Sequence, residues 1–385
     1  MNPVYLDYAA TTPMDSRVVE AMMPYFTKQF GNPSSIYSFG REARRAVSKA
    51  REQVAALLQA DPSEIFFTSG GSESDNWVLK GMAFALRREG KGCHIITSQV
   101  EHHAVLNTCA WLEKQGFSIT YLPVDDFGRV MPERVKEALR EDTILVSIMT
   151  ANNEVGTIEP IAEIGSFLQE RGIFFHTDAV QAAGHIPLVV DELHVDALSL
   201  SGHKLYGPKG VGALYLRRGA RPDSLIHGGS QEREMRAGTE NTAGIVGLGM
   251  AAELARKELG SEWERLSMLR DRLIQGVKEI EGTWINGDEK YRLPGNVNFG
   301  IAGVSQDTLL IRLDMAGFAV SAGSACSAGS LTPSHVLMAM GQSANEAGSA
   351  IRVTLGRFTT EDELNRFTDA LRIAVESMRK QNGVV

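Results

Sequence analysis

Apolar and polar positions change their period several times along the chain, and each change marks an element. Across residues 42–58, Ala43, Ala46, Val47, Ala50, Val54, Leu57 and Leu58 fall on one stripe at three- and four-residue spacing, which predicts an amphipathic helix. EIFFT (64–68) is a short unbroken apolar run, the pattern of a buried strand. SGGSESDN follows it, and a helical pattern then runs to about residue 89. CHIITS (93–98), SITYLPV (118–124), TILVSIMT (143–150), GIFFHTD (172–178), VDALSLS (195–201) and GVGALYL (210–216) predict further strands. Helical patterns near 102–115 and 132–141, and IAEIGSFLQERG closed by Gly172, lie between them.

Strands alternating with helices of about 10–15 residues imply βαβ units. The expected fold class is therefore α/β, with a large domain built on a mostly parallel sheet flanked by helices. The pattern changes near residue 240: a long helix is predicted over about 242–281, then a smaller α/β region ending in an amphipathic helix near 360–380. The expected division is a large domain over 13–255 and a small one formed by 1–12 and 256–385. In such sheets ligands bind beyond the carboxyl ends of the strands, so polar residues just after each strand are the first candidates for chemistry.

Composition narrows the class without naming a reaction. With 43% apolar and 22% charged residues among 385, the chain reads as a globular protein rather than a disordered one. A net charge of −8 supplies no basic footprint for nucleic acid. No apolar run reaches the roughly eighteen residues of a membrane span, and the N-terminus lacks the pattern of a secretory signal, so a cytoplasmic protein without a membrane partner is expected. Three cysteines, Cys93, Cys109 and Cys326, are too few for a disulfide scaffold and leave one thiol unpaired. The spacing of Cys93, Cys109, His102 and His103 matches no zinc pattern, and no metal is expected.

Chemistry concentrates at strand ends. SLSGHKLYGPKG (199–210) places Ser201, His203 and Lys204 where a strand gives way to a Gly/Pro-rich loop. A lysine amine desolvated in such a crevice loses basicity and forms imines readily. HTDAVQ places Asp178 and Gln181 after the preceding strand. That carboxylate could hold a protonated pyridine nitrogen and the amide a phenolic oxygen, the partners of a pyridoxal phosphate ring; taken alone, Asp178 would more often be a helix N-cap, and the pairing with Lys204 is what favours the cofactor reading. TSGGSESDN (68–76) turns through Gly71 and Ser72 into a helix, whose N-terminal N–H groups suit a phosphate. His102 could stack on a planar ring, and Asn153 is a further crevice candidate. SAGSACSAGSLTPS (321–334) sets Cys326 in a Gly/Ala/Ser stretch of the kind that forms an exposed, mobile loop, where a thiol can act as a nucleophile. Arg352, in SAIRVTLGRF, has a fork that fits a carboxylate, whether of a ligand or of a structural partner.

The motifs YLDYAATTP, FGNPSS, TSGGSESDN, EHHAVL, NNEVGT, HTDAVQ, SGHKLYGPKG, HGGSQEREMRAGTEN and SAGSACS, in that order over nearly the whole chain, resemble those of the fold-type I pyridoxal phosphate enzymes. Within these they resemble the cysteine desulfurases of the NifS/IscS-like group in the class V aminotransferase family. The resemblance implies pyridoxal 5'-phosphate held as an imine on Lys204, with Asp178 on the ring nitrogen, Gln181 on the ring oxygen and His102 stacked on the ring. It implies phosphate binding by Gly71, Ser72, Ser201 and His203, and by Thr239 reaching into the neighbouring subunit of a homodimer. Asn153 would sit near the ring, Arg352 would clamp the carboxylate of L-cysteine with Asn32 assisting, and Cys326 would receive the sulfur as a persulfide. The sulfur would pass to an acceptor protein, either an iron–sulfur cluster scaffold or a tRNA-thiolation relay. A selenocysteine lyase or an aminotransferase on the same fold, or a non-catalytic sulfur-handling subunit, are the alternatives. Ser72 where threonine is usual, His103 where lysine is frequent, and SACSAG for SACTS depart from the commonest pattern without removing a functional group. The chain closes at QNGVV soon after its last helix, so the longer tail by which some members contact a scaffold is expected to be short or absent.

Overall fold

The computed structural model describes residues 3–322 and 333–381. Cys326 therefore lies outside the described residues.

A seven-stranded sheet forms the centre of the larger part. In chain order its strands are β2 (Ile65–Thr68), β3 (His94–Ser98), β4 (Ser118–Leu122), β5 (Thr143–Ser147), β6 (Phe174–Asp178), β7 (Ala197–Ser201) and β8 (Gly212–Leu216), after a short β1 (Val4–Tyr5) that lies elsewhere. Their spatial order is β2-β8-β7-β6-β5-β3-β4. The pairs within β7-β6-β5-β3-β4 are parallel, while β8 runs antiparallel to both β7 and β2. Chain length explains the exception. Only residues 202–211 separate β7 from β8, fewer than the dozen or more that a parallel crossover takes.

The strands are apolar on both faces because both are covered. Ile95, Leu145, Ala197 and Leu214 point to the side of α3 (Gly71–Arg88) and α4 (His103–Glu113), where they meet Trp77, Leu79, Val105 and Leu112. Their neighbours Ile96, Val146, Leu198 and Ala213 point to the other side, against α1 (Ser16–Thr27), α2 (Ser38–Leu58), α5 (Pro132–Ala138), α6 (Ile161–Glu170) and α7 (Thr242–Lys278). Period-two alternation thus divides one sheet between two cores. The predicted stripe on α2 is buried at Ala43, Val47, Ala50, Val54, Leu57 and Leu58. Gly172 follows α6 at φ +66°, the left-handed conformation that stops a helix without a Cβ penalty.

α7 joins two cores. Ile245, Leu248 and Ala252 pack in the core against α2, whereas Leu266, Leu273 and Val277 pack with the small sheet. That sheet is antiparallel, in the order β12 (Ala350–Thr354), β10 (Asn296–Ile301), β9 (Thr283–Asn286). α8 (Gln306–Met315) and α11 (Glu361–Gln381) cover it through Leu309, Leu313, Phe367 and Leu371. β1 pairs parallel with β11 (Phe318–Ala319), and Val4 and Leu6 join this core. The short helices α9 (His335–Ala339) and α10 (Ala344–Ala347) pack Val336, Leu337 and Ala347 against Val100 and Val155. Among the described residues, no helix is long and apolar enough to cross a membrane.

Candidate active site

The carboxyl ends of β2, β3, β5, β6 and β7 lie along one edge of the sheet, and the segments leaving them enclose a cavity of about 260 Å³. Gly71, Ser72, His102, Asn153, Asp178, Gln181, Ser201, His203, Lys204 and Arg352 all line it, together with Ala9, Ala10, Asp75, Glu154 and His335. Asn32 and Thr239 are exposed and outside the lining. A larger groove of about 840 Å³ lies at the opposite edge, around Thr143 and Phe174 where β5 and β6 begin, away from every one of these candidates.

β7 ends at Ser201 in a single 3-10 turn, Gly202–Lys204, which presents the lysine to the cavity. Its Nζ donates to the carbonyl of Ala9 and, at 2.7 Å, to that of Ala10. Gln181 Nε2 donates to the same Ala9 carbonyl at 3.0 Å. His203 Nδ1 meets the Thr11 hydroxyl at 3.1 Å, and burial pushes this imidazole down to about 4, so it is neutral near pH 7. The N-terminal segment thus contributes backbone acceptors, which no side-chain motif could have signalled.

Asp178, the last residue of β6, accepts from the Val180 N–H at 2.9 Å. Burial raises its pKa, against the pull of His102, the Val180 N–H and Lys204. His102 caps α4, its Nδ1 accepting the Ala104 N–H at 3.1 Å, which leaves the proton of the neutral ring on Nε2. Gly70 precedes α3 at φ +153° and offers no side-chain cap, leaving the first turn to bind through its N–H groups. A Cβ on Gly71 would come within 2.5 Å of Val180 Cγ2, so any larger residue would force helix and loop apart or displace Val180. Arg352 is buried on β12, with Nη2 at 2.8 Å from Asp7 Oδ1 and Nη1 donating to the Asn153 carbonyl at 2.9 Å.

The set fits pyridoxal phosphate. It joins a cavity-facing lysine, a buried carboxylate at the neighbouring strand end, a helix N-terminus with hydroxyls beside it, and a buried arginine at the far wall.

Three lining groups were missed from sequence. Asp75 stands four residues after Gly71 on the same face of α3, a spacing that could have flagged it. Glu154 Oε2 accepts from the Ser334 hydroxyl at 2.5 Å, and the His335 ring lies 4.7 Å from that of His103. Behind the lining, fully buried Glu101 accepts from the Ser98 hydroxyl at 2.7 Å and the Met149 N–H at 3.0 Å. Burial pushes Glu101 up to about 8 from its ordinary 4.5. Folding therefore takes up a proton between these values, and stability falls as pH rises through that window. Glu101→Gln keeps the shape and removes the titration, so its melting temperature should gain on the unsubstituted chain from pH 5 to 8; a pH-independent difference would refute this. The two cysteines in view are ordinary. Cys109 is buried in α4, its thiol pushed up to about 12, and Cys93 donates to Asp142 Oδ2 at 3.6 Å.

Comparison with known proteins gives the family. The class-V aminotransferase family matches residues 4–367, and the chain belongs to that family of pyridoxal phosphate enzymes. The cysteine desulfurase IscS of Dictyoglomus turgidum is 57% identical over 377 residues, spanning 98% of this chain and 95% of its own length. Among solved structures, a NifS-like protein superposes with a TM-score of 0.91 at 40% identity, covering 97% of this chain and 99% of the other. SspA in complex with cysteine superposes at 0.82, also 40% identical, covering 93% and 100%. Within the family, the chain falls in the NifS/IscS-like group of cysteine desulfurases.

Proposed function

We propose that this protein converts L-cysteine to L-alanine and passes the sulfur, as a persulfide on Cys326, to an acceptor protein such as an iron–sulfur scaffold or a thiolation relay. The observation that carries the reading is the convergence of Lys204, Asp178 and Arg352 on one cavity. The neighbour solved with cysteine supports the choice of substrate.

When bound, the cofactor supplies an electron sink for negative charge at the substrate Cα. The chain's residues do the rest. Asp178 would hold the ring nitrogen, Gln181 the ring oxygen, and His102 would stack on the ring. Gly71, Ser72, Ser201 and His203 would hold the phosphate. Arg352 takes the substrate carboxylate, with Asp7 keeping its fork in place. Asn153, whose carbonyl accepts from Arg352, orients substrate beside the ring. Lys204 carries the Cα proton. The Cys326 thiolate attacks the substrate sulfur: an S–S bond forms, the C–S bond breaks, and its electron pair stays on carbon, which is then protonated to alanine.

A homodimer fits the surface. Met23, Phe26, Phe30, Ile36, Tyr37 and Phe39 are exposed apolar residues in or between α1 and α2. Thr239 is exposed and outside this chain's cavity, as a residue serving the neighbouring subunit would be. Asn32 is also exposed, its Oδ1 accepting the Ser34 N–H at 2.9 Å, and this chain does not bring it to Arg352. We place the division between the two parts near residue 255, inside α7, with 1–12 on the smaller part; the split of α7 between two cores supports it.

Product analysis tests the reaction. With L-cysteine and a thiol reductant, alanine and sulfide should form in equal amounts. A keto acid in place of alanine would indicate transamination, and turnover of selenocysteine alone would indicate a lyase for that substrate.

A further inference from the structure

Asp75 has no role in the reading above, yet it lies on the cavity wall and is buried. One carboxylate oxygen each from Asp75 and Asp178 and one ring nitrogen of His102 lie within 4.8 Å of one another. Asp75 Oδ1 is buried without a hydrogen-bond partner among the described residues. The His176 ring lies behind it, with Nε2 3.6 Å away. That ring cannot serve as a counter-ion. Its Nε2 meets the Ser199 hydroxyl at 3.0 Å and its Nδ1 the Ser147 hydroxyl at 2.9 Å, and burial pushes it down to about 3.

Two buried carboxylates this close cannot both ionise at neutral pH without large cost, so one keeps a proton. The surroundings decide which. Asp178 faces His102, Lys204 and the Val180 N–H, all of which favour its anion. For Asp75 the Ser199 hydroxyl favours the anion, against burial, Asp178 and the nearby Glu101, and the His102 nitrogen within 4.8 Å is shared by both carboxylates.

We propose that Asp75 is a positioning residue: a protonated carboxyl that takes the one proton of the pair and leaves Asp178 as the single anion facing the cofactor's ring nitrogen. The role of Asp178 rests on the function proposed above, but the protonation of Asp75 can be read without it.

Infrared difference spectra of Asp75→Asn against the unsubstituted chain at pH 7, with and without cofactor, read the proton directly. Glu101 and Glu159 are present in both proteins and cancel. The expected difference is loss of one protonated-carboxyl C=O stretch; loss of carboxylate bands instead would overturn the proposal. If Asp75→Asn does not fold, Ser199→Ala should shift that same C=O stretch, and an unmoved spectrum would overturn it equally. In the holoenzyme, the pH titration of the cofactor's visible band should move by less than about half a unit in Asp75→Asn, since a neutral group replaces a neutral group. A shift of about one unit or more would mean that a charge had been removed. An infrared result as expected, with no cofactor bound at all, would leave Asp75 as described and count against the functional reading instead.

Discussion

Lys204→Ala is expected to lower kcat for L-cysteine by about 10³-fold or more, because it removes both the covalent anchor and the Cα proton carrier. Lys204 is the only lysine among the described residues lining the cavity, so no second amine stands ready to replace it. Borohydride should fix the cofactor to the unsubstituted chain and leave the variant unmodified, a difference readable by mass. The substitution has a structural cost of its own. In the cofactor-free chain it removes the ammonium that donates to the Ala9 and Ala10 carbonyls, a loss of about 1 kcal/mol, since Ala9 keeps the Gln181 amide as a donor and Ala10 is only half-buried. Lys204→Gln separates the two effects, since its amide can still donate to a carbonyl but cannot form the covalent link. Loss of turnover in both variants, with the melting temperature restored only in Lys204→Gln, is the expected pattern. A Lys204→Gln enzyme retaining more than about a tenth of the rate would remove the lysine from the chemistry.

Much of this site could be read from the chain because an α/β fold places chemistry at strand ends. Asp178 closes β6, Lys204 follows β7 by three residues, and His102 follows β3 by four, each at or just beyond the end of an apolar run that was plain as a strand. The strand β8 was recognised, but its direction was not. Direction follows from the length of a connection, and a Gly/Pro-rich loop in place of a helix was the available sign. Asp75 was overlooked because ESDN reads as the polar start of a helix; only the four-residue step from Gly71 turns it toward the cavity. The carbonyls of Ala9 and Ala10 carry no side-chain signal at all. Thr239 and Asn32 were picked out by motif alone, and this chain leaves both exposed and outside the cavity lining, because neither lies at the end of a strand of the large sheet.

Cys326→Ser should retain the cofactor's visible absorbance while alanine and sulfide formation fall by about 10²-fold or more. A serine hydroxyl at neutral pH is neither ionised nor able to hold sulfur as a persulfide, whereas a thiol titrates near pH 8.5 and attacks divalent sulfur readily. The other two cysteines make the control. Cys109 is shut inside α4 with its thiol pushed up to about 12, and the Cys93 thiol is engaged by Asp142 at the entrance to β3, on the sheet edge opposite the cavity. Cys109→Ala and Cys93→Ala should therefore turn over L-cysteine at the unsubstituted rate, apart from lost stability in the first. After a single turnover without reductant, the extra sulfur should be found by mass on the peptide containing residue 326, and on neither of the others. Loss of activity together with loss of the absorbance band would report a damaged cofactor site instead of a missing nucleophile. Unchanged turnover in Cys326→Ser would mean that sulfur leaves the substrate directly as sulfide, and the persulfide step would have to be given up.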